Sequence, residues 1–87
     1  MPIEIILLGP PDEAFAQAYT RVQQAIAHAQ QHVSLLTRDD PALARQHNIE
    51  ELPALIVDGE VKSAGTIPEP HEIVTWIMNA ALKKQPD

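Results

Sequence analysis

Residues 51–65 read Glu-Leu-Pro-Ala-Leu-Ile-Val-Asp-Gly-Glu-Val-Lys-Ser-Ala-Gly. Ala54 to Val57 is an apolar run too short for a helix, and Asp58-Gly59 is a dipeptide that accepts positive φ in a tight two-residue turn. Val61 to Ala64 can then return as a second strand, so the stretch predicts a β-hairpin. Pro53 opens the first strand, where the missing backbone N–H removes nothing from the ladder.

The flanking sequence supplies partners for that hairpin. Ile3 to Leu8 is apolar except for Glu4 and stops at Gly9-Pro10-Pro11, the pattern of a mostly buried strand ended by a turn. Asp12 and Glu13 follow as a helix-start signal, an Asp to cap free N–H groups and acidic charge for the positive end of the macrodipole. A helix is predicted from about Glu13 to Gln30. Its Phe15, Ala18, Tyr19, Val22, Ala25, Ile26 and Ala29 recur at three- and four-residue spacing, and this stripe assigns Phe15 and Tyr19 to the core.

Val33 to Thr37 reads as the next strand. Asp40 and Pro41 suit the N-cap and first position of a short helix whose buried contacts would be Leu43, Ala44 and Ile49. After the hairpin, Thr66 to Pro70 is a proline-stiffened connector. A last helix from about Glu69 or Pro70 to Lys84 places Ile73, Val74, Ile77, Ala80 and Ala81 on one stripe, with Trp76 flanking it and partly buried. Gln85 to Asp87 are expected to fray.

The order β-α-β-α-β-β-α, with a crossover joining the first two strands in parallel and a tight turn making the last two antiparallel, predicts one domain over residues 1–87. Its fold class is α/β, thioredoxin-like: a mixed four-stranded sheet with helices on both faces.

Composition narrows the function. The chain has 87 residues, 6 basic against 12 acidic and a formal charge of −6, which argues against a phosphate-backbone partner. Its N-terminus lacks a basic region ahead of the apolar run, and no stretch reaches the roughly 18 apolar residues of a membrane span, so the expected location is cytoplasmic with no membrane partner. Cysteine is absent, which removes disulfides, thiolate ligands and dithiol chemistry from this chain.

Leu-Pro-Ala-Leu-Ile-Val-Asp-Gly-Glu-Val at 52–61, Ser-Ala-Gly at 63–65 and Pro-Glu-Pro-His-Glu-Ile at 68–73 resemble the second half of the small single-domain thioredoxin-like and glutaredoxin-like proteins of bacteria and archaea. Ile3 to Pro10 is similar to their first strand and loop. The resemblance implies a cis Leu52–Pro53 peptide bond beside that loop. It also implies a CxxC pair at the start of the first helix, where the helix end lowers a thiol pKa and a second thiol resolves the mixed disulfide. The matching positions are Pro11, Asp12, Glu13 and Ala14, within one residue, and neither end carries sulfur.

Other chemistry has ordinary competing explanations. Asp12 and Glu13 could be paired carboxylates for acid-base work, but capping accounts for both. His28 and His32 have the one-turn spacing of a metal clamp, yet His32 falls past the helix end and no third ligand is evident; His47 and His71 complete the set. Ser34 and Ser63, both on strands, sit in no nucleophile elbow or phosphate loop. Glu50-Glu51 is a solvated acidic pair able to shape partner choice through charge.

The expected function is a redox-inactive module that binds a protein or peptide through Gly9, Pro10, Pro11, Asp12, Leu52 and Pro53, with no cofactor and no metal. In redox-active members the backbone of the residue before the proline pairs with an extended substrate segment. The alternatives are a non-thiol enzyme or small-ligand carrier in the same groove, and self-association of a monomer into a weak homodimer through a sheet edge or the Trp76 face.

Overall fold

A computed structural model describes residues 1–84; the fraying expected of Gln85–Asp87 lies outside the described residues. The elements run β1 (Ile3–Leu8), α1 (Glu13–Ala29), β2 (Val33–Arg38), α2 (Pro41–Gln46), β3 (Ala54–Val57), β4 (Glu60–Ala64) and α3 (Pro70–Lys84). The sheet order is β2-β1-β3-β4, with β1 parallel to β2 and antiparallel to β3, and β3 antiparallel to β4.

Every side chain of β3 is buried, as a strand paired on both sides and covered on both faces requires. Leu55 and Val57 face the main core with Ile3, Ile5 and Leu7 of β1, against Ala18, Val22, Ala25 and Ala29 of α1 and Ile73, Ile77 and Ala80 of α3. Small residues on α1 let it lie close to the sheet, while α3 brings the bulk. Each fully buried Leu or Ile side chain in such a core contributes ~2 kcal/mol relative to exposure. Both long helices therefore share one face, and α2 with the following Ile49 borders Leu8 on the other.

Asp58 and Gly59 take φ of 48° and 85°, the mirror-image turn that matches the twist of the two strands. Asp58 also ties the turn to β1: its N–H donates to the Glu4 carbonyl at 2.8 Å and its Oδ1 accepts from the Glu4 N–H at 2.9 Å. In β4 the register slips between Leu55–Ser63 and Ile56–Val61, so Lys62 is an extra residue. This bulge, and the charges on Glu60 and Lys62, guard one free edge of the sheet.

The helix ends carry the caps that the residues dictate. Asp12 Oδ1 accepts from the Phe15 N–H at 2.9 Å and Asp40 Oδ1 from the Ala42 N–H at 3.0 Å. Glu72 reaches back to accept the Glu69 N–H at 3.0 Å ahead of Pro70, half of a capping box. Arg21 fastens the connector before α3, donating to the carbonyls of Ile67 at 3.1 Å and Pro68 at 3.3 Å and pairing with Glu69 at 3.3 Å.

Three burial expectations are corrected. Tyr19 keeps 37% of its surface exposed and Phe15, though packed against the core, is only half-buried, because the N-terminal half of α1 overhangs the β2 edge, leaving an open groove lined by Phe15, Ala16, Tyr19, Thr20, Leu35 and Thr37. Leu43, Ala44 and Ile49 are half-buried, and α2 contributes no fully buried side chain. A six-residue helix at the rim covers the sheet without being enclosed itself.

Two substitutions test this packing. Gly65 has φ of 81°, and an added Cβ would fall 2.7 Å from Glu51 Cβ, so Gly65→Ala is expected to destabilise the fold by about 2 kcal/mol in urea unfolding. Ser63 Oγ is buried with no hydrogen-bond partner among the described residues, on a strand position bordered by Leu7, Val22 and Leu55. Removing an unpaired hydroxyl removes its desolvation cost, so Ser63→Ala is expected to leave stability unchanged or raise it by about 1 kcal/mol, and a clear loss in the same measurement contradicts that packing.

Candidate functional site

The residues singled out in the sequence converge at one end of the sheet, where β1 and β2 finish and β3 begins. Gly9 is buried, its N–H donates to the Arg38 carbonyl at 2.8 Å, and a Cβ placed on it would sit 3.4 Å from Pro53 Cα. The first loop and the start of the hairpin are therefore in contact. Pro53 is buried, the Leu52–Pro53 bond is cis, and the Pro53 carbonyl accepts from the Gly65 N–H at 2.9 Å.

Leu52 differs from its neighbours. It keeps 43% of its surface exposed, and neither its N–H nor its carbonyl has a hydrogen-bond partner among the described residues. Beside it lies a groove of about 240 Å³ lined by Leu8, Gly9, Asp39, Asp40, Pro41, Ala44, Arg45 and Ile49 as well as Leu52. An isolated apolar residue in a polar loop, Ile49 in His-Asn-Ile-Glu, is the sequence signal for this wall. Leu8 as part of it has no such signal, since the whole of β1 reads as core.

Pro10, Pro11 and Asp12 are exposed on the loop leading into α1. Asp12 spends Oδ1 on the Phe15 N–H, and α1 begins at Glu13, so the positions matching a CxxC are a cap and a first turn without a nucleophile. The groove beside Leu52 is lined by neither Asp12 nor Glu13 and holds no histidine. His28 shares a groove between α1 and α3 with His71, while His32 lies beyond the end of α1 at Ala29. Among the described residues no three metal-ligating side chains come together.

Charge is distributed unevenly between the two ends of the sheet. At the hairpin tip Lys62 and Lys83 each pair with Glu60 at 3.4 Å and Lys84 pairs with Asp58 at 3.5 Å. The hydrogen bonds from Lys62 and Lys83 hold the Glu60 carboxyl below the ordinary glutamate value. These pairs are exposed and screened by salt, so their weight in stability is small. Around Leu52 the carboxylates of Asp12, Asp39, Asp40, Glu50 and Glu51 form no ion pair among the described residues.

No helix of the described residues is long and apolar enough to cross a membrane.

Comparison with known proteins places this geometry. A thioredoxin-2 described as a component of the malaria parasite protein secretion machinery superposes with a TM-score of 0.70 over 90% of this chain and 82% of its own, at 14% identity. A second structure, of a malarial protein, superposes with a TM-score of 0.70 over 92% of this chain and 98% of its own, also at 14% identity. No curated protein matches the sequence. At that identity the structures establish the fold, and the family rests on the sequence: residues 1–78 match the family model of the thioredoxin domain. The chain belongs to the thioredoxin-domain family, as a member without the paired cysteines and hence without dithiol oxidoreductase chemistry of its own.

Proposed function

We propose that this chain is a redox-inactive docking module that holds an extended protein or peptide segment against Leu52, Pro53 and the loop Gly9-Pro10-Pro11-Asp12. The observation that carries the reading is Leu52 itself: an aliphatic side chain 43% exposed, on a residue whose backbone donor and acceptor are both unpaired, beside an apolar groove. An extended segment laid antiparallel to Leu52 satisfies both groups by strand addition and places an alternate side chain in the groove. The backbone bonds give affinity in a sequence-tolerant way, and the groove gives selection.

The same geometry in thiol-bearing members holds a substrate beside a nucleophile. Here the loop keeps the approach and Asp12 closes the helix end instead, so a bound segment is retained without reaction. Acid-base chemistry by Asp12 and Glu13 has less support, because the carboxylate of Asp12 is engaged as a cap and its partner faces solvent.

Isotope-edited NMR with a nine-residue Ser-rich peptide carrying one central Leu tests this. The expected result is amide shifts concentrated at Gly9, Leu52 and Ala54, with Leu52→Ala raising Kd about fivefold, ~1 kcal/mol, at unchanged thermal stability. Shifts confined to the α1–α3 groove of His28 and His71, or a Kd unaffected by Leu52→Ala, contradict it.

A further inference from the structure

We infer that the segment held at Leu52 is a basic one, with Lys or Arg two residues to either side of an apolar anchor. This rests on the docking role proposed above and adds the chemistry of the partner. The groove and the unpaired Leu52 backbone define where a segment lies; the charge around them selects which.

Of the six basic residues, Lys62, Lys83 and Lys84 are committed to Glu60 and Asp58 at the hairpin tip, and Arg21 to Glu69 beneath the α3 connector. Only Arg38 and Arg45 remain at the Leu52 end. Arg38 donates to the neighbouring Thr37 carbonyl at 2.9 Å, and Arg45 lines the groove. Against these two guanidinium groups stand the carboxylates of Asp39 and Asp40 in the groove wall, with Glu50 and Glu51 forming the stretch from Ile49 to Leu52, the Glu51 carboxylate lying toward Gly65, and Asp12 on the adjoining loop, none in an ion pair among the described residues. The His47 imidazole, half-buried at the end of α2, is the remaining titratable group nearby.

An extended segment repeats on one face every second residue, about 6.7 Å apart. With a Leu-sized side chain between Leu8, Ala44, Ile49 and Leu52, side chains two residues to either side emerge over the rim. The four-carbon stem of a lysine reaches a carboxylate there while its methylenes cover the apolar wall. An acidic segment meets an excess of like charge, so the rim rejects as well as selects.

The test compares three synthetic nine-residue peptides, Ser-Ser-X-Ser-Leu-Ser-X-Ser-Ser with X as Lys, Ser or Glu, titrated into the full chain and into Asp39→Asn/Glu50→Gln, neither of which is a helix cap. The Lys peptide is expected to bind at least tenfold tighter than the Ser peptide at 50 mM salt. That gap should shrink several-fold at 500 mM salt and in the double variant, with the Glu peptide weakest. Equal affinity of the Lys and Ser peptides, with both still shifting the Leu52 amide, overturns the charge selection and leaves the docking site standing. A Lys preference undiminished in the double variant overturns it too. If no peptide perturbs Leu52, the docking reading itself falls.

Discussion

The structure depends on the pairing of a four-residue strand on both its sides. β3 lies between β1 and β4, entirely buried, and its backbone groups are satisfied only if both neighbours hold register. The Asp58-Gly59 turn fixes one register, and the exchange of hydrogen bonds between Asp58 and Glu4 fixes the other. At the opposite end the Gly65 N–H closes on the Pro53 carbonyl, so the last paired group of the strand is Pro53 and the first unpaired residue is Leu52. The proposed site begins where the sheet's internal pairing stops.

That continuity explains how a chain without thiols can keep this end of its fold. The cysteines of redox-active members sit on a loop and helix start, and their loss leaves the sheet untouched. Asp12 takes over the helix end by capping it, a stabilising role that needs no partner from outside. The contact of Gly9 with Pro53 belongs to the packing of loop against strand.

Much of this architecture is legible in the residues, for identifiable reasons. The hairpin is written in local turn chemistry, α3 in a regular apolar stripe bounded by Pro70 and two lysines, and α1 in its cap and small buried residues. Tyr19 was misleading because periodicity reports which face a residue is on, and not whether the sheet beneath extends far enough to cover it. The bulge at Lys62 is also silent in sequence: it follows from fitting the hairpin turn to the pairing of Ala54 with Ala64. Of the site, Leu52 and Pro53 were accessible through the family pattern. The groove wall of Leu8, Ala44 and Ile49 was not, since it exists only once α2 is laid beside the end of β1.

The most direct measurement is a crystal structure of the chain with the Lys-containing peptide bound. The expected result is an extended peptide antiparallel to Leu52, both Leu52 backbone groups hydrogen-bonded to it, and its leucine between Leu8, Ala44 and Ile49. A peptide added instead along the outer edge of β2, or lying across α1 and α3 with Leu52 still unpaired, contradicts the assignment of this end of the sheet as the docking surface.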